Sequence, residues 1–388
     1  MVQGKRIPTA VNLFGFEPMR IGNGEHLARE LSLQLGQAGW RSVLCFASAP
    51  PAPVREFLSL PNVVIEVVPN SWVRAWQPVH DMRRILKQYE PRTLHCHFTG
   101  FLGPYPWLGK LSGVERTFYT DQTSRPDGYV PVRSPLWKRI AGRIINAPLT
   151  NTICVSDYGF RTLETLDLID NGRLHRIYNS IQTATPGDPV ELGRNFRQRF
   201  NIPLDRQVVL QVSWVIPEKG IGDLLEAAVK VLTQRKDVHF VIVGEGADRQ
   251  RYTDEAEKMG IGGHVTFTGL VRDPFAEGVY AAADIVCQLS RWQEVFGCTI
   301  TEAMALRRPL VATRVGGIPE LVAEEETGLL ADKGDIEVIT NHLLRLLADP
   351  ALRERMGHAG RERCVEHFDL SKNAAEVLKL YGAVKAAS

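Results

Sequence analysis

The stretch Asp284-Ile-Val-Cys-Gln-Leu289, followed by Glu294-Val-Phe-Gly-Cys-Thr-Ile-Thr-Glu302-Ala-Met-Ala-Leu306, decides how this chain is read. The first run is short and apolar and predicts a strand, while the Ala- and Met-rich segment from Thr299 to Leu306 predicts a helix. Gly297 then falls where the chain leaves a parallel strand and opens a helix, a place whose first N–H groups can hold an anion. Glu302 lies on the first turns of that helix, and Glu294 projects from the preceding loop. One carboxylate at each end, with an anion-accepting turn between, suits a ligand hydroxyl-rich at both ends and doubly anionic in the middle. A nucleotide-sugar has that chemistry.

Working outward, short apolar runs alternate with helix-like stretches along the whole chain. Strands are predicted at 8–14, 42–47, 63–68, 93–98, 116–120, 151–155 and 174–178, then at 207–213, 238–244, 264–269, 284–289 and 309–313. Helical patterns lie between them, for example 24–38 with Leu27, Leu31 and Leu35 on one face, and 222–235. Near-continuous apolar strands alternating with helices argue for parallel sheets covered on both faces. The turn formers of Gln182-Thr-Ala-Thr-Pro-Gly-Asp-Pro189 interrupt the pattern as a linker. The expected architecture is α/β, with two doubly wound Rossmann-like domains, residues 1–185 and 186–368, facing a central cleft that holds the ligand. A last helix over 369–388, with Asp369 as its N-cap, packs on its own domain or crosses back to the first.

Composition agrees with a soluble globular chain: 388 residues, 44% hydrophobic and 23% charged. No window reaches the roughly 18 consecutive apolar residues of a membrane span, and Met-Val-Gln-Gly-Lys-Arg-Ile-Pro at the start lacks an apolar signal region. Six cysteines at 45, 96, 154, 287, 298 and 364 form no C-x-x-C pair, so a reducing cytoplasm is expected. Charge is uneven. Residues 1–185 carry 21 Lys and Arg against 14 Asp and Glu, a balance of +7, and the remainder carries 25 against 30, or −5. Ordinary scatter accounts for this, or the first half faces an anionic partner such as the inner membrane surface. Ser134-Pro-Leu-Trp-Lys-Arg-Ile-Ala-Gly-Arg-Ile-Ile145 places Trp137, Ile140 and Ile144 on one face beside Lys138, Arg139 and Arg143. It reads as an ordinary amphipathic surface helix, because the apolar stripe is short, with membrane docking as the alternative.

After the strand Val208-Val-Leu-Gln-Val212 comes Ser213-Trp-Val-Ile-Pro-Glu-Lys-Gly220. A lysine in that turn can point into the crevice and neutralise a diphosphate, or simply be solvated. With Pro217-Glu-Lys-Gly220, Val241-Ile-Val-Gly-Glu-Gly246, Val265-Thr-Phe-Thr-Gly269, the Glu294 to Met304 run and Val315-Gly-Gly-Ile-Pro-Glu320, the second half resembles the family-four retaining glycosyltransferases of the GT-B fold. The first half matches more loosely through Gly22-Asn-Gly24, His95-Cys-His97, Val155-Ser156 and Tyr178-Asn179.

The resemblance implies an acceptor-binding first domain and a donor-binding second domain. It gives Glu302 the ribose hydroxyls, Lys219 the diphosphate, and Glu294 the transferred sugar. The backbone of Phe296, Gly297, Cys298 and Thr299, with Ser213 nearby, is expected to hold a phosphate and sugar hydroxyls. Gly22 and Gly24 would let the first loop approach the ligands, and His97 is a catalytic candidate, with a structural role as the alternative. The expected activity is transfer of a sugar, as by a hexosyltransferase, from a nucleotide diphosphate donor of UDP type to a hydroxyl. The acceptor is lipid-linked, in cell-envelope or exopolysaccharide assembly, or a soluble molecule. No cofactor is expected, and no nucleic-acid partner. No Asp-x-Asp occurs in the chain, so no metal is expected, and Lys219 with helix dipoles would meet the charge of the departing diphosphate.

Two departures from the family pattern stand out. Ser213-Trp214 replaces a Gly-Arg pair, removing a second diphosphate cation for which Arg291 or Arg314 could compensate. Gln122, or Tyr119 in a shifted register, stands where a histidine is common, and Gln122 is a possible acceptor contact. Each motif also has a plain reading: Gly244-Glu-Gly246 as a tight turn, Trp214 as core packing. A nucleotide-sugar epimerase of the same fold, or a catalytically weak nucleotide-sugar-binding protein, are the alternative functions.

Overall fold

The computed structural model describes residues 7–69, 76–100, 103–184 and 187–383. Among them the strands β1 (Thr9–Phe14), β2 (Arg41–Phe46), β3 (Val63–Val67), β4 (Thr93–His97), β5 (Arg116–Asp121), β6 (Asn151–Cys154) and β7 (Leu174–Arg176) form one sheet, ordered β3-β2-β1-β4-β5-β6-β7. Strands β8 (Gln207–Val212), β9 (Val238–Val243), β10 (Val265–Gly269), β11 (Ile285–Gln288), β12 (Leu310–Thr313) and β13 (Gly328–Ala331) form a second, ordered β10-β9-β8-β11-β12-β13. Every pairing in both sheets is parallel. Strand β13 was not expected from sequence. Its Gly-Leu-Leu-Ala has no β-branched residue and follows three glutamates, and its pairing with β12 makes it a strand.

The chain divides into two compact units. The first contains residues up to Thr123, residues 130–179 and the helix Leu370–Tyr381; the second contains 124–129 and 180–369. The division at 179/180 falls ahead of the expected 185/186, and residues 185 and 186 lie outside the described residues. Segment 124–129, from the first half of the sequence, belongs to the second unit. The last helix completes the first unit.

Burial explains why that helix is where it is. On one face of the first sheet, Ala374, Leu378 and Tyr381 join Leu31 and Leu35 of the helix Asn23–Gln37 against Phe118 and Ile153. The other face is covered separately, by a cluster including Met82, Ile85 and Leu86 packed on Val11, Val43 and Leu94. Without the last helix, part of an apolar sheet face would be left in water. In the second unit, Leu224, Leu225 and Val231 pack with Leu343 and Leu346 around Val209, Phe240 and Cys287.

A buried polar network fastens the last helix. Tyr381 Oη donates to Asn12 Oδ1 at 2.8 Å and lies 2.6 Å from His95 Nδ1, while His95 Nε2 lies 2.6 Å from Thr120 Oγ1. Burial, with a smaller push from His97, drives the His95 pKa well below its usual 6.5, so the ring is neutral and bonds hydroxyls on both sides. In both sheets strand order reverses beside the first strand of the unit, between β1 and β4 and between β8 and β11. The crevice beyond the carboxyl ends at such a reversal is where doubly wound sheets take ligands. Tyr381→Phe keeps the ring and removes the hydroxyl, leaving His95 and Asn12 with a lost partner. It is expected to cost about 1–3 kcal/mol in denaturant unfolding; an unchanged midpoint would remove the network from the unit's stability.

Candidate functional site

The loops after β8 and β11 meet at the reversal point of the second sheet. After β8 the chain forms a 3₁₀ turn, Pro217–Lys219, and enters the helix Ile221–Gln234 through Gly220 at φ 68°. A Cβ on Gly220 would lie 1.9 Å from the carbonyl oxygen of Leu289. Glycine is required there twice, for its backbone angle and for the crossing of the two loops. The loops are then joined by Arg291 N–H donating to Glu218 O at 2.8 Å.

This crossing sets Lys219 against Glu294. The two side chains form a buried ion pair, with 12% and 9% of their surfaces exposed. Oε1 of Glu294 accepts from Lys219 Nζ, from Ser290 Oγ at 2.6 Å and from Trp292 Nε1 at 2.9 Å. Oε2 accepts from Ser124 Oγ at 3.1 Å. Lys219 Nζ also lies 4.7 Å from the centroid of the Trp292 ring. Burial pushes the Glu294 carboxyl up, but the Lys219 charge and the hydrogen bonds from Lys219, Ser290 and Trp292 outweigh it and hold the pKa below the usual 4.5.

The backbone of the Glu294 loop is fixed on several sides. Gly317 N–H donates to Glu294 O at 2.7 Å, Thr313 Oγ1 to Ser290 O at 2.6 Å, and Gly316 N–H to Gln293 Oε1 at 2.7 Å. Segment 124–129 adds an antiparallel bridge, with Arg125 and Gln293 exchanging backbone bonds of 2.8 and 2.9 Å. Asp127 and Lys333 form an ion pair at its far end.

Two glutamines in otherwise apolar strands complete the support. Gln211 of β8 donates to Lys219 O at 2.7 Å, and Gln288 of β11 donates to Ser290 Oγ at 2.9 Å. The reading from sequence passed over both; a polar residue inside an apolar strand at the reversal point was the available signal. Ser124 carried no signal, because nothing local ties it to Glu294.

Glu302 lies on the helix Cys298–Ala305, entered through Gly297 at φ 114°. Its Oε2 accepts from the hydroxyl of Tyr280, a fully buried side chain whose pKa burial pushes well above 10. Thr299 Oγ1 donates to Val212 O at 3.0 Å, pinning the helix start to the end of β8. Phe296 is buried against Phe368 with ring centroids 5.7 Å apart. Among the described residues, no group of three or more His, Cys, Asp or Glu side chains converges as metal ligands would.

The arginines suggested as compensating cations are already engaged. Arg291 pairs with buried Asp223 through two nitrogens, and Arg314 lies 2.6 Å from Glu324. Trp214 is not core packing; it is 63% exposed, on the loop that follows β8. Ser213 Oγ is buried without a hydrogen-bond partner.

His97, Gly22, Gly24 and Gln122 belong to the first unit. His97 ends β4, stacks on Phe14 with ring centroids 4.6 Å apart, and lies against the tilted ring of His95 at 3.8 Å. Both its ring nitrogens are buried and unpartnered, and burial drives its pKa down to about 3. It offers a neutral hydrogen-bonding ring, not a cation. Gln122 Oε1, just after β5, is likewise buried and unpartnered. Gly24 has an internal reason, because a Cβ there would lie 2.7 Å from the Phe16 ring. Gly22 does not: its backbone is extended and a Cβ would meet nothing nearer than 3.4 Å.

Known proteins share this architecture. The model of the family described as Glycosyltransferase Family 4 matches residues 24–185, and that of Glycosyl transferases group 1 matches residues 194–363. The chain is 30% identical over 210 residues to the alpha-D-kanosaminyltransferase of Streptomyces kanamyceticus, covering 54% of each. It thus spans about half the length of the curated relatives it matches. A solved glycosyltransferase from Rickettsia africae superposes with a TM-score of 0.80 at 17% identity, over 98% of this chain and 100% of that one. The HepE protein of Anabaena, solved with UDP, gives 0.75 at 17% identity over 97% and 100%.

Lys219→Met tests the electrostatics. In the wild type the depressed Glu294 contributes stability above the ordinary carboxylate range and loses it as pH falls through its lower folded value. Without Lys219, burial is uncompensated and the carboxylate is disfavoured until it protonates. The variant is expected to lose about 3 kcal/mol near neutral pH, with the gap in melting temperature narrowing as pH falls towards 4.5. A gap independent of pH would exclude the ion pair as its cause.

Proposed function

We propose that this chain, which belongs to the family-four glycosyltransferases of the GT-B fold, moves a sugar from a nucleotide diphosphate donor to a hydroxyl with retention at the anomeric carbon. The observation that carries the reading is the buried Lys219–Glu294 pair, locked at the reversal point of the second sheet just ahead of the helix bearing Glu302. UDP is the favoured nucleotide, supported by the fold shared with the UDP-bound Anabaena protein. The acceptor is a hydroxyl on a lipid-linked carrier used in envelope or exopolysaccharide assembly, with the enzyme working at the inner face of the membrane. Among the described residues no helix is long and apolar enough to cross a membrane.

In this reading Glu302 accepts hydrogen bonds from the ribose hydroxyls, and Glu294 orients the sugar through its own. The bond between the anomeric carbon and the diphosphate oxygen breaks, and its electron pair leaves with the nucleoside diphosphate. The acceptor oxygen bonds to the same carbon, and its proton passes to an oxygen of the departing diphosphate. Charge grows on the leaving diphosphate, and the Lys219 ammonium and the start of the helix Cys298–Ala305 are the groups that would stabilise it. Lys219 is preorganised for this by Glu294 and Trp292, so little reorganisation accompanies the step. No metal takes part.

The direct test is a thermal-shift screen over UDP-, GDP-, ADP- and TDP-sugars. A ligand present at about 100 times its Kd stabilises by about 2.7 kcal/mol; a UDP-sugar is expected to shift the transition, and Glu302→Ala to abolish that shift. A shift by another base alone would overturn the UDP assignment, and one unchanged in Glu302→Ala would remove Glu302 from the site. Transfer should persist in excess EDTA, and a loss restored by added Mg²⁺ would refute metal independence.

A further inference from the structure

The helix Leu136–Ile145 does not rest on its apolar side, as an amphipathic surface helix would. At about 100° per residue, Leu136, Ile140, Ile144 and Trp137 fall within an arc of roughly 100°, and each is more than half exposed, Trp137 at 68%. On the opposite side Gly142 is the helix's buried residue, and a Cβ added to it would lie 2.9 Å from Leu168 Cδ2. The helix therefore approaches its unit through its smallest residue and turns its largest ones to solvent. Val130 and Val132, both strongly exposed in the preceding loop, add to the apolar residues uncovered along 130–144. Soluble surfaces rarely carry such a stripe without a partner for it.

The charges around it are mostly positive. Lys138 Nζ lies 5.4 Å from the Trp137 ring centroid. Arg133, Arg139 and Arg143 converge on Asp167 at 3.1, 2.5 and 2.5 Å. One carboxylate thus answers three guanidiniums, and with Lys138 the rim stays net positive. Two copies of this face laid together would oppose like charges, which disfavours self-association. Apolar residues that include a Trp, edged by Lys and Arg, match the interface of an anionic bilayer, where rings sit at headgroup depth and cations meet phosphates.

We propose that the face formed by Val130, Val132, Leu136, Trp137, Ile140 and Ile144 docks on an anionic lipid surface. The inference deepens the lipid-acceptor part of the proposed function, yet its test uses neither donor nor acceptor, so the two fail separately. Full-length protein is sedimented with vesicles of phosphatidylcholine containing phosphatidylglycerol, and with phosphatidylcholine alone. The wild type is expected to pellet with the anionic vesicles, and less at about 0.5 M salt, where screening is strong. Trp137→Ser combined with Ile140→Ser, both at exposed positions, should weaken partitioning at least about tenfold, equivalent to about 1.4 kcal/mol, with an unchanged melting temperature. Lys138→Glu should weaken it while leaving the apolar face intact. Equal partitioning of wild type and both variants would overturn the proposal, as would absence of binding to the anionic vesicles. So would a wild-type dimer, in sedimentation velocity, that the Ser variant converts to monomer.

Discussion

The carbonyl of Leu289 and the α-carbon of Gly220 approach so closely that no side chain fits between the loops after β8 and β11. Much of the second unit's site follows from that crossing. It carries Lys219 over the start of the Glu294 loop, where the two charges can meet away from water. The pair is then stabilised by geometry as well as by attraction, because Glu294 accepts from four side chains on both of its oxygens. A carboxylate so bonded stays ionised despite its burial, and the ammonium opposite it keeps a fixed place. The positive group is thus assembled before any anion arrives, which is the condition for electrostatic stabilisation without reorganisation.

Support for the pair comes from parts of the chain with different roles. Gln211 and Gln288 spend one core position each on a hydrogen bond that positions a loop. Ser124 and Arg125 come from far earlier in the chain and close the second oxygen of Glu294 and the edge of its loop. Arg291 and Arg314 answer Asp223 and Glu324, and the position after Ser213 presents an exposed indole. Lys219 is paired as well, with Glu294, and together with the start of the helix Cys298–Ala305 it is the group assigned to the diphosphate in the proposed reaction.

The first unit shows the same economy with a different outcome. Its sheet is closed on one face by a helix from the extreme end of the chain, held through Tyr381 to Asn12 and His95. Next to that neutral, satisfied His95 lies His97, equally buried and without a partner. The two imidazoles, two residues apart at the carboxyl end of β4, thus differ in their bonding, His95 being held on both sides and His97 on neither. The helix Leu136–Ile145, turned apolar side out, gives this unit a surface that its own packing does not use.

Much of the fold was legible in the sequence. Alternating apolar runs placed twelve strands, since a strand buried on both faces needs continuous apolar residues, and the Glu294 to Glu302 spacing placed a loop and a helix start. The thirteenth strand, Gly328–Ala331, escaped because pairing, not composition, makes it a strand. The apolar face of Leu136–Ile145 was visible as periodicity, but its direction was not, because a helical pattern is the same whether Gly142 or Trp137 faces the core. Local order determines which residues share an element; which elements touch is decided by packing across long separations. Two doubly wound sheets and the residue types of the proposed nucleotide-sugar site follow from residue order alone. Long-range packing brings Lys219 to Glu294, Ser124 to the same carboxylate and the last helix onto the first unit, and none of these contacts is legible locally, because each joins residues the chain keeps far apart.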